Sequence, residues 1–118
     1  MERKRILIAD DEKVVRILLS EVLKPYGYKI DIAEDGVKAI EYINKNTYDL
    51  VITDYKMPKM DGFDLTRHIR SKYPSTPILM VTGNGPVHQL LESGATACIT
   101  KPFNILELEN MVKIILNN

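Results

Sequence analysis

Cysteine is nearly absent from this sequence: Cys98 stands alone, so no internal disulfide can form, and a reducing, cytoplasmic setting is expected. Long apolar runs are missing as well, and no stretch is long enough to cross a bilayer. The basic opening Met1-Glu2-Arg3-Lys4-Arg5 leads only into the short run Ile6 to Ala9 before two aspartates, too little for the core of a signal peptide. An excess of one charge is lacking too: sixteen basic residues balance sixteen acidic ones, which argues against a nucleic-acid or anionic-membrane surface. Any partner is therefore recognised locally. Histidine is scarce, and His68 and His88 fall on expected helices as solvated surface residues, so a zinc site is not indicated.

What is present is one domain's worth of chain. At 118 residues and 45% hydrophobic content, residues 1–118 can bury a core of their own. The most informative stretch runs from Leu50 to Pro58, an apolar run that ends in a single carboxylate, Asp54, and then breaks. Such a run reads as a strand covered on both faces, with Asp54 at its carboxyl end. Arg5 to Ala9 is a second run of this kind, ending in Asp10-Asp11. Val15, Leu18, Leu19, Val22 and Leu23 then recur at helical spacing until Pro25 and Gly27 stop them. Tyr28 to Ile32 is a short strand, and Asp35 caps a helix whose apolar face is Val37, Ile40 and Ile43. Asp61-Gly62 opens a third helix through Leu65 and Ile69, closed off by Pro74 and Pro77. Pro77 to Val81 is the fourth strand and ends at Thr82. After the turn Gly83-Asn84-Gly85-Pro86, the fourth helix has room only from about Pro86 to Ser93, with Gly94 as its C-terminal cap. Ala95 to Thr100 forms the fifth strand and runs into Lys101-Pro102; Asn104 caps a last helix along Leu108, Val112 and Ile115.

Five strands alternating with five helices at this spacing specify a doubly wound α/β domain with a parallel sheet. The flavodoxin-like order 2-1-3-4-5 places strands 1, 3, 4 and 5 side by side, so Asp10, Asp11, Asp54, Thr82 and Lys101 converge on one edge. Three carboxylates within about 5 Å repel by roughly 3 kcal/mol per pair at an effective dielectric near 20. Lys101 offsets one charge at most, and an all-oxygen cluster suits a hard ion such as Mg²⁺. A carboxylate with Mg²⁺, a lysine and a hydroxyl around it fits phosphoryl transfer, with the carboxylate as nucleophile. Asp54 is central and accepts. Asp11 holds the metal with Asp54, Asp10 acts more distantly or through water, and Thr82 and Lys101 each engage a phosphoryl oxygen.

These residues resemble a response-regulator receiver domain of bacterial two-component signalling, from Ile6 to the last helix. The likeness rests on Asp10-Asp11, on Asp54-Tyr55-Lys56-Met57-Pro58 with Met60-Asp61-Gly62, on Thr82, Gly94-Ala95 and Lys101-Pro102-Phe103, in this order and spacing. It implies a phosphoryl group passed from a histidine kinase or phosphotransfer protein to Asp54 with Mg²⁺. It further implies that the Lys56 backbone carbonyl completes the metal site, that Lys101-Pro102 is cis, and that a downstream protein or output domain reads the result. Cys98 stands where the family usually carries an aromatic switch residue, so that readout is missing or replaced. The segment from Thr82 to Lys101 is short by roughly three residues, close to one helical turn, which favours a monomer and an altered output surface. Lys56 and Asn84 flank the place of the attacking water in this family without an acid to orient it, so a long-lived phosphoryl group is expected. Two other readings stay open: a Mg²⁺-dependent phosphohydrolase with an aspartyl-phosphate intermediate, and a degenerate receiver that only binds. Under the leading reading the chain acts on itself and is not an enzyme with a separate substrate. Whether it stands alone or belongs to a longer protein is left open.

Overall fold

The computed structural model describes residues 3–83 and 85–117. Its elements alternate along the chain: β1 (Arg5–Ala9), α1 (Lys13–Leu23), a short 3-10 turn (Lys24–Tyr26), β2 (Lys29–Ala33), α2 (Gly36–Lys45), β3 (Leu50–Asp54), α3 (Gly62–Lys72), β4 (Ile78–Thr82), α4 (Val87–Glu92), β5 (Ala97–Thr100) and α5 (Ile105–Leu116). The strands form one sheet in the order β2-β1-β3-β4-β5, every pair parallel. This is the flavodoxin-like order expected from the sequence, with strands 1, 3, 4 and 5 side by side. In β3 and β4 every residue is buried, because helices cover both faces and the flanking strands cover both edges.

Each face has its own core. Ile6, Ile8, Ile52, Leu79 and Val81 pack beneath Leu19 and Leu23 of α1 and Leu108, Val112 and Leu116 of α5. On the opposite face Leu7, Ala9 and Val51 meet Ala39 and Ile43 of α2 and Leu65 and Ile69 of α3. A smaller cluster of Met80, Leu90 and Ala95, with Tyr55, Phe63 and Cys98 against it, lies under α4.

Helix faces depart from expectation in three places. Val37 is 43% exposed, and α2 buries Gly36, Ala39 and Ile43 instead. The cause is Gly36: a Cβ there would lie 2.5 Å from the Met60 carbonyl oxygen, so the first turn of α2 is pressed against the loop before α3, which turns Val37 outward. Leu18 is likewise exposed while Leu19 is buried, and at the end of α5 Leu116, not Ile115, is fully enclosed.

The caps follow the sequence closely. The side chains of Asp35, Asp61 and Asn104 accept hydrogen bonds from the amides of Lys38, Asp64 and Leu106, which satisfies otherwise unpaired first-turn donors. α4 is a helix of six residues with Leu90 as its only buried residue, and Gly94 after it takes φ +118°. The Arg70 guanidinium of α3 holds this corner by donating to the carbonyls of Gly94 (2.8 Å), Thr76 (2.6 Å) and Tyr73 (3.3 Å). Arg70→Ala is expected to cost about 2 kcal/mol, since hydrogen bonds from a charged donor are each worth roughly 1.5 kcal/mol or more where buried and less where wet. A lower urea midpoint at unchanged slope would report it.

Candidate functional site

The carboxyl ends of four strands, β1, β3, β4 and β5, build the site. β1 stops at Ala9, and Asp10 follows it almost fully buried, its amide donating to the Ala33 carbonyl of β2 at 3.1 Å. Its Oδ1 accepts from the Glu12 amide at 2.8 Å, which fixes the carboxylate while the chain turns into α1. Asp54 is the last residue of β3 and 7% exposed, and its Oδ1 accepts from the Tyr55 amide at 2.9 Å. Thr82 ends β4, and its buried Oγ1 accepts from the Gly85 amide at 2.7 Å. The Lys101 amide donates to the Thr82 carbonyl at 2.7 Å, and the Lys101-Pro102 peptide is cis, as the resemblance implied. The loop after β3 folds back because Gly62 has no side chain. A Cβ there would collide with the Asp54 carbonyl oxygen and lie 2.8 Å from Met80 Sδ, so the first turn of α3 rests directly on the strand-end backbone.

The charges gather as the sequence predicts, with one addition. Lys101 Nζ lies 3.4 Å from Asp54 Oδ1, 3.7 Å from Asp10 Oδ2 and 3.9 Å from Glu12 Oε1. Asp10, Asp11, Glu12 and Asp54 each bring a carboxylate oxygen to within 4.8 Å of one another, Asp10 and Asp54 buried, Asp11 and Glu12 exposed. Glu12 was not foreseen; the signal was the unbroken acidic run Asp10-Asp11-Glu12, of which only the first two were assigned to the site. A cavity of about 260 Å³ opens beside them, lined by Asp11, Glu12, Asp54, Lys56, Thr82, Gly83 and Lys101. Asn84 lies outside the described residues. His88 is exposed and lies 2.8 Å from Glu92 Oε1 along α4, as a surface residue would. His68 is a correction: it is half-buried on α3 and its Nε2 is enclosed without a hydrogen-bond partner among the described residues. Neither histidine lines the cavity.

Burial dominates the electrostatics. It pushes the Asp10 carboxyl up to about 6, the Glu12 amide pulling the other way. Burial also raises Asp54 above the usual carboxylate range, with Lys101 and the Tyr55 amide opposing. Among the described residues Lys101 is the one ammonium within 4 Å of these carboxylates, which leaves the edge short of positive charge. The all-oxygen donor set, two members of it dehydrated, fits a small hard cation.

The dehydrated Asp54 against Lys101 thus lies at the carboxyl edge of a doubly wound sheet, beside the switch point where such sheets bind ligands. The chain belongs to the response regulator receiver domain family, whose model matches residues 6–113. It is 42% identical over 107 residues to the sensor protein EvgS of Escherichia coli K12, covering 88% of this chain and 9% of that protein. Against the response regulator MprA of Mycobacterium sp. strain KMS it is 38% identical over 107 residues, 88% of this chain and 46% of that one. The chain therefore spans about a tenth to a half of the curated relatives it matches. The solved structure of the response regulator TrrA from Thermotoga maritima, in complex with Mg²⁺-BeF, superposes with a TM-score of 0.88 at 39% identity, over 96% of this chain and 99% of that one. Among the described residues no helix is long and apolar enough to cross a membrane.

Proposed function

We propose that the chain takes a phosphoryl group onto Asp54 from the phosphohistidine of a histidine kinase or phosphotransfer protein. The observation that carries this reading is the position of Asp54: buried at a strand end, 3.4 Å from Lys101 Nζ, beside a cavity open to solvent. Oδ1 is held by the Tyr55 amide and faces Lys101, which leaves Oδ2 as the nucleophile. As the Oδ2–P bond forms, the N–P bond of the donor breaks, and its electron pair returns to the imidazole nitrogen, which then takes a proton. Lys101 neutralises the incoming phosphoryl charge, and the Thr82 hydroxyl donates to a second phosphoryl oxygen once it turns from Gly85. Asp11, Asp54 and the backbone carbonyl of Lys56, with Asp10 through water, are the groups that would hold Mg²⁺, and Glu12 adds a further oxygen at the rim. When bound, the ion supplies neutralisation of the charge that builds on the phosphoryl oxygens.

The product is a change of state. A downstream protein or output domain reads it, and the domain itself works as a cytoplasmic monomer on no separate substrate. Incubation with a small phosphodonor and Mg²⁺, followed by intact mass, tests this. A single long-lived phosphoryl adduct is expected, because neither Lys56 nor Asn84 is an acid able to orient water. Steady release of phosphate without an adduct would instead make the protein a phosphohydrolase, and neither adduct nor release would make it a binding module.

A further inference from the structure

Tyr55 is joined to both halves of the site. Its amide is shared between Asp54 Oδ1 at 2.9 Å and the Val81 carbonyl of β4 at 3.2 Å. Its ring lies against Gly85: a Cβ built on that glycine would be 2.9 Å from Tyr55 Cδ2 and 2.5 Å from Thr82 Oγ1. The Gly85 amide in turn donates to Thr82 Oγ1. A chain of contacts results, running from the reacting carboxylate through the Tyr55 amide and ring to Gly85 and on to the Thr82 hydroxyl. Beyond the ring lie Met80, Leu90, Ala95, Phe63 and Cys98. Leu90 is the single buried residue of α4, so the seating of that helix depends on this one cluster.

We infer that Tyr55 relays the state of Asp54 to α4, taking the place of an aromatic at position 98; the inference rests on the phosphoacceptor reading. Esterification of Oδ2 turns Oδ1 from a carboxylate oxygen into a neutral carbonyl, and a hydrogen bond to a charged acceptor is about twice as strong as one to a neutral acceptor. The Tyr55 amide then shifts toward Val81. At the same time Thr82, turning to the phosphoryl group, releases the Gly85 amide and so frees the residue that abuts the ring. Both changes act on one stiff side chain in a close-packed cluster, which moves as a unit and does not deform locally. The side chain that carries the signal is thus Tyr55, and α4 feels it only through Leu90.

The test uses the isotopically labelled protein with Mg²⁺ and beryllium fluoride as the phosphoryl mimic, at concentrations that saturate the Asp11 and Lys101 amide signals. In the unsubstituted protein the Tyr55 ring signal is expected to move together with the Leu90 and Cys98 amides. In Tyr55→Ala the Asp11 and Lys101 signals still report loading while the Leu90 and Cys98 shifts are lost, and Tyr55→Phe restores them. Gly85→Ala, which drives a methyl group against both the ring and Thr82, is expected to lose the same shifts with the Tyr55 side chain still present. Full Leu90 and Cys98 shifts in loaded Tyr55→Ala, or a Tyr55 ring signal that stays still in the loaded parent, would overturn the relay. A parent in which Asp11 and Lys101 do not respond either would overturn the phosphoacceptor reading beneath it.

Discussion

Asp54→Asn is expected to leave a folded protein that no phosphodonor labels. Asparagine has nearly the same shape, and its Oδ1 can still accept from the Tyr55 amide, so the strand end and the turn after it keep their geometry. What disappears is the anionic Oδ2, and an amide nitrogen cannot attack phosphorus as a carboxylate does. Loss of one of several crowded carboxylates also eases repulsion, so stability should hold or rise slightly. The measurement is intact mass after incubation with a small phosphodonor and Mg²⁺, with circular dichroism to confirm the fold. An adduct equal to that of the parent would move the acceptor role to Asp10, Asp11 or Glu12, the other carboxylates within reach.

Asp10→Asn should move two quantities in opposite directions. Burial raises the Asp10 carboxyl from 3.8 to about 6, so the folded state holds this proton more tightly than the unfolded chain does. The charged form is therefore a cost to folding that is absent below about pH 4, grows as pH rises, and is complete above about pH 6. At 1.36 kcal/mol per unit this amounts to roughly 3 kcal/mol, and about 10 °C in melting temperature for a domain of this size. In chelator at pH 7.5 the variant should melt higher by about that much, and the gain should shrink toward nothing near pH 4. With Mg²⁺ present the order narrows or reverses. The parent gains stability from the ion by mass action, while the variant, lacking an acid that orients the site, binds it at least about tenfold more weakly by calorimetry. A variant that melts no higher than the parent in chelator would show that Lys101 already compensates Asp10 in full.

Much of this was legible before any coordinates. The runs ending at Asp10, Asp54 and Thr82 are short, apolar and sharply bounded, so a parallel sheet follows from alternation, while the order β2-β1-β3-β4-β5 is favoured because it brings Asp10, Asp11, Asp54, Thr82 and Lys101 to one edge. Helix faces were less legible. Val37 sits at proper spacing from Ile40, yet the contact of Gly36 with Met60 presses on that turn, and a glycine's contact partner about 80 Å of extended chain away leaves no periodic trace. The enclosed Nε2 of His68 escaped notice for the same reason, since burial of one ring atom depends on neighbours from other elements. Glu12 is exposed and lies in an acidic run, where solvation is the ordinary fate of a carboxylate. Its carboxylate joins the site because the turn into α1 brings it within 4.8 Å of Asp10, Asp11 and Asp54 and within 3.9 Å of Lys101 Nζ.

The bare backbone contact at Gly62 sets how such a domain would decay if its signal were no longer needed. The buried acids are a burden on the fold, so mutational drift would erase them early and the protein would grow sturdier. The glycine has no such freedom, because any larger residue must displace the strand end or the methionine beneath it. A silent descendant would thus lose its chemistry first and keep this hinge of empty space, a fossil imprint of the turn that once presented a reactive aspartate.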